Sequence, residues 1–119
     1  MKVQLPLSLE GEGGWTNRGK HWENSTLRTA SIGLEVCEMP LAGLDLNTSP
    51  WYTGDFFYTL YHFKRVEAAN LKYPILLDPN GTIIDGWHRI AKAILKGDET
   101  ISFQRLLVMP EHDRLEPVE

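Results

Sequence analysis

A glycine, a histidine and an arginine lie together where a strand is predicted to turn into a helix, in the stretch TIIDGWHRIAKAILKG (82–97). The N-terminus of a helix presents unpaired backbone N–H groups and the positive end of the helix dipole. Gly86 would let an anion approach that backbone closely, because glycine has no Cβ. Arg89 offers a planar fork of donors suited to phosphate oxygens, and His88 offers a further donor. Together these residues predict a phosphate-binding turn.

A purely structural interpretation fits the same residues. Gly86 would then serve a tight turn, His88 would bind a nearby carbonyl, and Arg89 would pair with a surface carboxylate. Asp85 also has two roles open to it. It can cap the helix, which is the favoured role, or it can act as a catalytic group that polarises a hydroxyl or holds Mg²⁺ indirectly. The spacing of these residues leaves both interpretations open.

Length and composition exclude several classes of protein. The chain has 119 residues and a net charge of −4, which fits one small domain and argues against broad electrostatic binding to DNA or anionic lipid. Cys37 is the lone cysteine, so we expect neither a disulfide framework nor a Cys-rich zinc site. No histidine pair has HxH or HxxxH spacing, and no metal site is predicted. The apolar runs are too short for a signal peptide or a membrane span, which predicts a cytoplasmic protein with no membrane partner.

Hydrophobic spacing predicts an α+β fold in which two principal helices pack on a small mixed β-sheet. The predicted elements are a strand at 32–39, a helix at 55–70, a strand at 73–77, a second hairpin arm at 82–84, a helix from about Trp87, and a strand at 100–109. Asp55 lies at the N-cap position of the first helix, and Gly97 lies just past the end of the second.

Each helix has a predicted apolar face. In the first helix the face consists of Phe56, Leu60, Phe63 and Val66, and in the second of Ile90, Ala91, Ile94 and Leu95. These intervals of three and four residues are typical of an amphipathic helix that buries one side.

The chain divides into three segments by composition. Residues 1–31 are predicted to be an N-terminal extension, mostly loop, with a weak strand at 3–9 and a short helix near 23–28. Residues 32–109 form the main domain, and residues 110–119 form a frayed C-terminal tail. Trp15 and Trp22 either pack the N-terminal loop onto the domain or form an aromatic and basic contact surface for single-stranded nucleic acid or protein.

The segment IIDGWHRIAKAIL resembles the signature turn of the ParB/sulfiredoxin-like superfamily. The resemblance extends over roughly residues 34–108, through a strand, the turn LAGL, a helix, the hairpin PILLDPNGTII, the motif helix and a closing strand. It implies that the turn binds nucleotide phosphates. Residues 1–31 fall outside the resemblance.

Branches of the superfamily differ at the turn itself. Sulfiredoxins carry a catalytic cysteine where this chain has Trp87, and Cys37 is expected to be hidden on a strand, so no redox chemistry is expected. ParB partition proteins carry an arginine pair and a downstream helix-turn-helix reader, whereas here His88 precedes Arg89 and no such reader is expected, so a partition protein is not predicted. The free-serine kinases use an Asp-Gly-x-x-Arg turn, which Asp85, Gly86 and Arg89 match.

The resemblance implies a set of site residues and ligands. The ligand would be ATP, ADP or CTP, with or without Mg²⁺, and the residues that would bind it are Gly86, Trp87, His88 and Arg89 in the turn and Thr59 and His62 on the preceding helix. Asp85 and His88 would be catalytic if the protein is an NTPase or a small-molecule phosphotransferase, and Glu35 and Glu38 are further acid–base candidates. The alternative is a non-catalytic accessory module for nucleic acid or protein, of the kind that phages and mobile elements encode.

Overall fold

The computed structural model describes residues 1–5 and 13–117, and within them it forms two β-sheets and three α-helices. The elements are β1 (Gly14–Asn17), β2 (Lys20–Glu23), α1 (Asn24–Ser31), β3 (Cys37–Pro40), α2 (Phe56–Ala68), β4 (Ile75–Leu77), β5 (Ile83–Asp85), α3 (Trp87–Lys96), β6 (Thr100–Arg105) and β7 (Arg114–Leu115). A short 3-10 turn, Leu41–Gly43, follows β3. The predicted α+β class with a small mixed sheet is confirmed.

The main sheet has the strand order β3-β6-β4-β5. β6 pairs antiparallel with β3 and parallel with β4, and β4 pairs antiparallel with β5. The turn of the β4–β5 hairpin is held by Asp78, whose Oδ1 accepts from the backbone N–H groups of Asn80 (2.9 Å) and Thr82 (2.8 Å). Gly81 supplies the positive φ of 86° that this turn needs. The predicted hairpin, with a helix starting at Trp87, is confirmed.

The main sheet is buried on both faces, because successive side chains of a strand point to opposite sides. On one face Ile75, Leu77 and Ile83 pack with residues of α3 such as Ile90. On the other face a second core contains Trp22, Leu27, Leu76, Ile84 and Leu106. The N-terminal hairpin and α1 therefore cover the side of the sheet opposite α3.

The N-terminal segment is more ordered than its polar composition predicts. The short helix is confirmed as α1, but the hairpin of β1 and β2 was not predicted. Trp22 is buried in the second core, its Nε1 donates to the carbonyl oxygen of Pro110 (2.8 Å), and Trp15 stacks on its ring. The hypothesis that Trp22 forms a contact surface is therefore wrong. The weak strand predicted at 3–9 is absent from residues 3–5, and residues 6–9 lie outside the described residues.

The C-terminal segment was wrongly predicted to be frayed. β7 extends the small sheet by pairing with β2. Asp113 accepts hydrogen bonds from the backbone N–H of Glu23 (2.8 Å) and from the hydroxyl of Thr26 (2.9 Å), at the start of α1. These contacts lie about 90 residues apart in the sequence, so no local pattern indicates them.

The buried faces of both long helices differ from the predicted ones. In α2, His62 and Val66 are buried, whereas Phe56 is 70% exposed and Phe63 is 58% exposed. The helix is rotated so that a polar residue, His62, faces α3.

The predictions for α3 and β3 differ less from the structure than the prediction for α2 does. The buried residues of α3 are Ile90 and Ala93, whereas Leu95 is 81% exposed and Ile94 is about half exposed. β3 begins at Cys37 rather than at residue 32, which leaves Cys37 partly exposed at its first position. The predicted end of α3 is confirmed, since Gly97 adopts the left-handed conformation with φ 86°.

The hydrogen bond from Trp22 to Pro110 gives a test of how the C-terminal segment is held. Trp22→Phe keeps an aromatic ring in the second core but removes the N–H donor, so the part-buried carbonyl of Pro110 loses its partner. We expect the free energy of unfolding to fall by about 1 kcal/mol. Chemical denaturation measures it, with Trp15→Phe as the control, since Trp15 is only partly buried. Equal losses in the two variants would show that the hydrogen bond contributes nothing of its own.

Candidate functional site

The start of α3 opens into a cleft of about 1120 Å³. Faces of α1 and α2 form its walls, and residues 85–89, called here the DGWHR turn, line it together with side chains of the main sheet. The sheet contributes Leu76, Ile84 and Gln104. The volume is sufficient for a ligand the size of a nucleotide.

Among the described residues, the N-terminus of α3 has no side-chain cap. Gly86 is the N-cap residue, with φ 113° and ψ 17°, and no side-chain hydrogen bond caps the first turn within that part of the chain. The predicted capping role of Asp85 is therefore wrong. Its carboxylate pairs instead with Nη2 of Arg89 at 3.1 Å. The first backbone N–H groups of a helix have no partner within the helix, and here they belong to residues that line the cleft.

Gly86 is required by the packing of the turn against β4. A Cβ added at this position would lie 2.6 Å from Cγ2 and 2.8 Å from Cβ of Ile75, in the core of the sheet. The positive φ is a second reason for glycine. The missing side chain thus leaves room for Ile75, so the presence of glycine here does not by itself indicate a ligand.

Arg89 already takes part in the structure. Its Nη1 donates to the carbonyl oxygen of Pro74 (2.9 Å), and its Nη2 donates to Asp85. A guanidinium has five N–H donors, so these two bonds fix its orientation and leave others for a ligand. Arg89 therefore connects the start of β4 to the DGWHR turn while it lines the cleft.

His62 and His88 form a direct hydrogen bond, with 2.7 Å between Nδ1 of His62 and Nε2 of His88. The indole of Trp51 stacks on both imidazoles, at 4.8 and 4.6 Å between ring centroids and with planes within 3°. This contact explains the rotation of α2, because the pair can form only if His62 faces α3. Only 6% of His62 is exposed, and its Nε2 has no hydrogen-bond partner among the described residues.

Both histidines are neutral at neutral pH. Burial, followed by the charge of Arg65, lowers the pKa of His62. Burial, followed by the charges of Arg65, His62 and Arg89, lowers the pKa of His88 to about 4. Each ring then carries one N–H, and one proton lies in the bond between them. His88 can accept a proton or a hydrogen bond in the cleft but is not a reservoir of acid at pH 7.

The cleft carries positive charge although the chain as a whole has a net charge of −4. The described residues that line it include three arginines, Arg28, Arg65 and Arg89, and one carboxylate, Asp85, which is paired with Arg89. Neither Arg28 nor Arg65 forms an ion pair with a carboxylate of the described residues. Positive charge at the walls of a low-dielectric cleft raises the local concentration of anions.

The structure does not bring all of the predicted residues together. Thr59 does not line the cleft, and its hydroxyl donates to the carbonyl oxygen of Asp55 (2.9 Å). Trp87, the first residue of α3, lines the cleft and also packs against the core that contains Ile75 and Ile90. Glu35 and Glu38 are not among the lining residues. The described residues contain no group of three or more side chains suited to hold a metal ion.

Three residues of the site, Arg28, Trp51 and Arg65, escaped the sequence analysis. Arg28 had no signal, because α1 was predicted only as a short helix within a loop. Trp51 lies in an irregular segment between the 3-10 turn and α2, where spacing gives no information. Arg65 could have been found, since it is three residues from His62 on the same helix and therefore on the same face.

Comparisons of the chain with protein-family models, with curated proteins and with solved structures find no match. Within the described residues, none of the helices has the length and apolar character needed to cross a membrane. Function must therefore be inferred from the chemistry of the cleft.

Proposed function

We propose that the protein binds a nucleotide in this cleft, with a phosphate at the N-terminus of α3, as a ParB/sulfiredoxin-like domain comprising residues 32–109 would. One observation carries the proposal. The uncapped first turn of α3 opens into a cleft in which arginines outnumber carboxylates by three to one among the described lining residues. A helix N-terminus and guanidinium groups are the donors that phosphate oxygens prefer.

The residues present fit a nucleotide in three ways. Backbone N–H groups of the DGWHR turn and the fixed guanidinium of Arg89 would bind the phosphate. The exposed ring of Tyr73, at the edge of the cleft, offers a stacking surface for a base. The buried Nε2 of His62 is a polar atom of a cleft residue that lacks a partner among the described residues, as expected of a site that is completed by a ligand.

Support for catalysis is weaker than support for binding. His88 is neutral and can accept a proton from an attacking hydroxyl, but a pKa of about 4 makes it a weak base at neutral pH. If Mg²⁺ enters with the nucleotide, Asp85 is the described carboxylate that would hold it, through water or directly. Hydrolysis or phosphoryl transfer by Asp85 and His88 is therefore the secondary part of the proposal. Such a protein would act in the cytoplasm.

A second candidate function is the binding of a nucleic-acid or protein partner without catalysis. Exposed aromatic side chains at and before the start of α2 favour it, since contiguous exposed apolar surface commonly marks an interaction site. These side chains are Tyr52, Phe56 and Phe57. A single-stranded oligonucleotide should be titrated as well. This second function predicts that the oligonucleotide binds even though mononucleotides do not bind.

Isothermal titration of ATP, ADP, CTP and GTP, each with and without Mg²⁺, tests the proposal. We expect at least one to bind, and Arg65→Gln to weaken that binding by about tenfold, since one charge-assisted hydrogen bond is lost. Lys64→Gln is the matched control, because it removes the same charge from an adjacent exposed position of α2 that does not line the cleft.

Two results would contradict the proposal. One is that no nucleotide binds the unmodified protein at millimolar concentration. The other is that Arg65→Gln and Lys64→Gln weaken binding equally, which would indicate general electrostatic attraction rather than a site in the cleft.

A further inference from the structure

The wall of the cleft formed by α1 lies outside the segment that suggested a phosphate site. Asn24, Arg28, Ser31 and Ile32 all line the cleft. Asn24, Arg28 and Ser31 are spaced four and three residues apart and so lie on one face of α1. Ile32 is the C-cap residue of the helix. The N-terminal hairpin and α1 are therefore part of the cleft and not only a cover for the sheet.

Arg28 is displayed from a rigid support. The preceding residue, Leu27, is fully buried in the second core. The end of α1 is tied to β6 by Gln104, whose Nε2 donates to the carbonyl oxygens of Ser31 (3.2 Å) and Leu34 (3.0 Å). The backbone of Arg28 is thus fixed at both sides, and its side chain is exposed at the cleft.

The charges on the two helical walls are arranged for a ligand with more than one anionic group. Arg28 lies on α1 and Arg65 on α2, and neither pairs with a carboxylate of the described residues. A single phosphate at the N-terminus of α3 would be satisfied by the DGWHR turn. Further phosphates in a chain would extend into the cleft, where the guanidinium groups of Arg28 and Arg65 lie without a carboxylate partner among the described residues. The Arg65 guanidinium also lies over the ring of Tyr61, 5.9 Å from its centroid.

We infer that Arg28 binds the distal phosphate of a polyphosphorylated ligand, so that α1 makes the site favour nucleoside di- and triphosphates over monophosphates. The inference rests on the proposed function and adds a specificity-determining residue to it. Arg28 contributes little to a monophosphate, because the turn alone holds the phosphate nearest the nucleoside.

Titrations of the mono-, di- and triphosphates of adenosine and cytidine against Arg28→Gln test the inference. For the unmodified protein we expect affinity to rise with the number of phosphates. We expect Arg28→Gln to weaken triphosphate binding by roughly tenfold and monophosphate binding by less than about twofold. Arg28→Lys, which keeps the charge, should recover much of the preference. Lys20→Gln removes a charge from β2, outside the cleft, and should change neither.

The outcomes separate the inference from the function on which it rests. An equal loss for mono- and triphosphates in Arg28→Gln, or no loss for either, would overturn the inference while nucleotide binding stands. Absence of binding of every nucleotide to the unmodified protein would remove the proposed function and the inference together. Thermal unfolding of each variant shows whether a loss comes from the site or from the fold.

Discussion

Replacing Gly86 with alanine is expected to lower the free energy of unfolding by about 3 kcal/mol. The backbone φ of 113° lies where a residue with a Cβ is strained by about 1–2 kcal/mol. The new methyl group would also lie 2.6 Å from Cγ2 of Ile75, whose side chain is fully buried. Forcing an extra carbon into such a core costs about 1–3 kcal/mol. The two effects add because they act on different coordinates of the turn.

Gly81→Ala is the matched control. Gly81 also has a positive φ of 86°, but a Cβ added there meets no atom within 4 Å. The loss of unfolding free energy in Gly81→Ala should therefore be limited to the backbone strain, about 1–2 kcal/mol. Urea denaturation of both variants measures the difference. Equal losses at Gly81 and Gly86 would show that the contact with Ile75 does not determine the glycine.

The expected loss of stability in Gly86→Ala bears on how a glycine at the start of a helix is interpreted. From the sequence, Gly86 fits both a phosphate-binding turn and a structural one. The structure accounts for Gly86 entirely by its contact with Ile75 and its φ, so the functional interpretation depends on the uncapped N–H groups and the arginines instead. The proposed ligand-binding turn and a packing requirement coincide here at one residue.

The parts of the fold that follow from local signals were predictable. The β4–β5 hairpin follows from Asp78, Asn80 and Gly81, whose side-chain and backbone preferences form the turn without help from the rest of the chain. The end of α3 follows from Gly97 in the same way. Such elements are determined by a few adjacent residues, which a single sequence displays.

The parts that depend on distant contacts were not predictable. α2 contains apolar residues on more than one side, and the His62–His88 contact, 26 residues apart in sequence, decides which side is buried. β7 forms because β2 offers a free edge and Asp113 finds the start of α1. No periodicity within either segment carries that information.

The candidate site divides in the same way. The DGWHR turn and His62 were predicted from motif and helical spacing, and the structure brings His62 and His88 together. Arg28 and Trp51 come from segments without periodicity, and they reach the cleft only through the packing of α1 and of the irregular segment before α2.

Acid is expected to destabilise the protein through the histidine pair, by an amount on the order of 2 kcal/mol between about pH 7 and about pH 4.5. Burial, and then the charges of Arg65, His62 and Arg89, lowers the pKa of His88 from 6.5 to about 4. Above pH 6.5 the ring is neutral in both the folded and the unfolded chain, so it contributes no pH dependence. As the pH falls below that value, the unfolded chain binds a proton first, and the folded state loses stability until the pH reaches about 4. The figure is reduced from the full shift because the ring is partly exposed to solvent, which screens its charge.

His88→Asn isolates this contribution, because asparagine keeps a polar side chain in the cleft but does not titrate. Free energies of unfolding measured by urea denaturation at several pH values should converge for the two proteins as the pH falls, since the variant lacks one of the two acid-sensitive groups. His112→Asn is the control for the loss of a histidine outside the cleft, because His112 lies in the C-terminal segment and packs against Trp22. A pH dependence in His88→Asn as steep as in the unmodified protein would contradict the prediction.

Binding of a nucleotide should also raise the pKa of His88, because a phosphate offsets the charges of Arg65 and Arg89. Proton uptake on binding near pH 5 would then link the histidine pair to the proposed site.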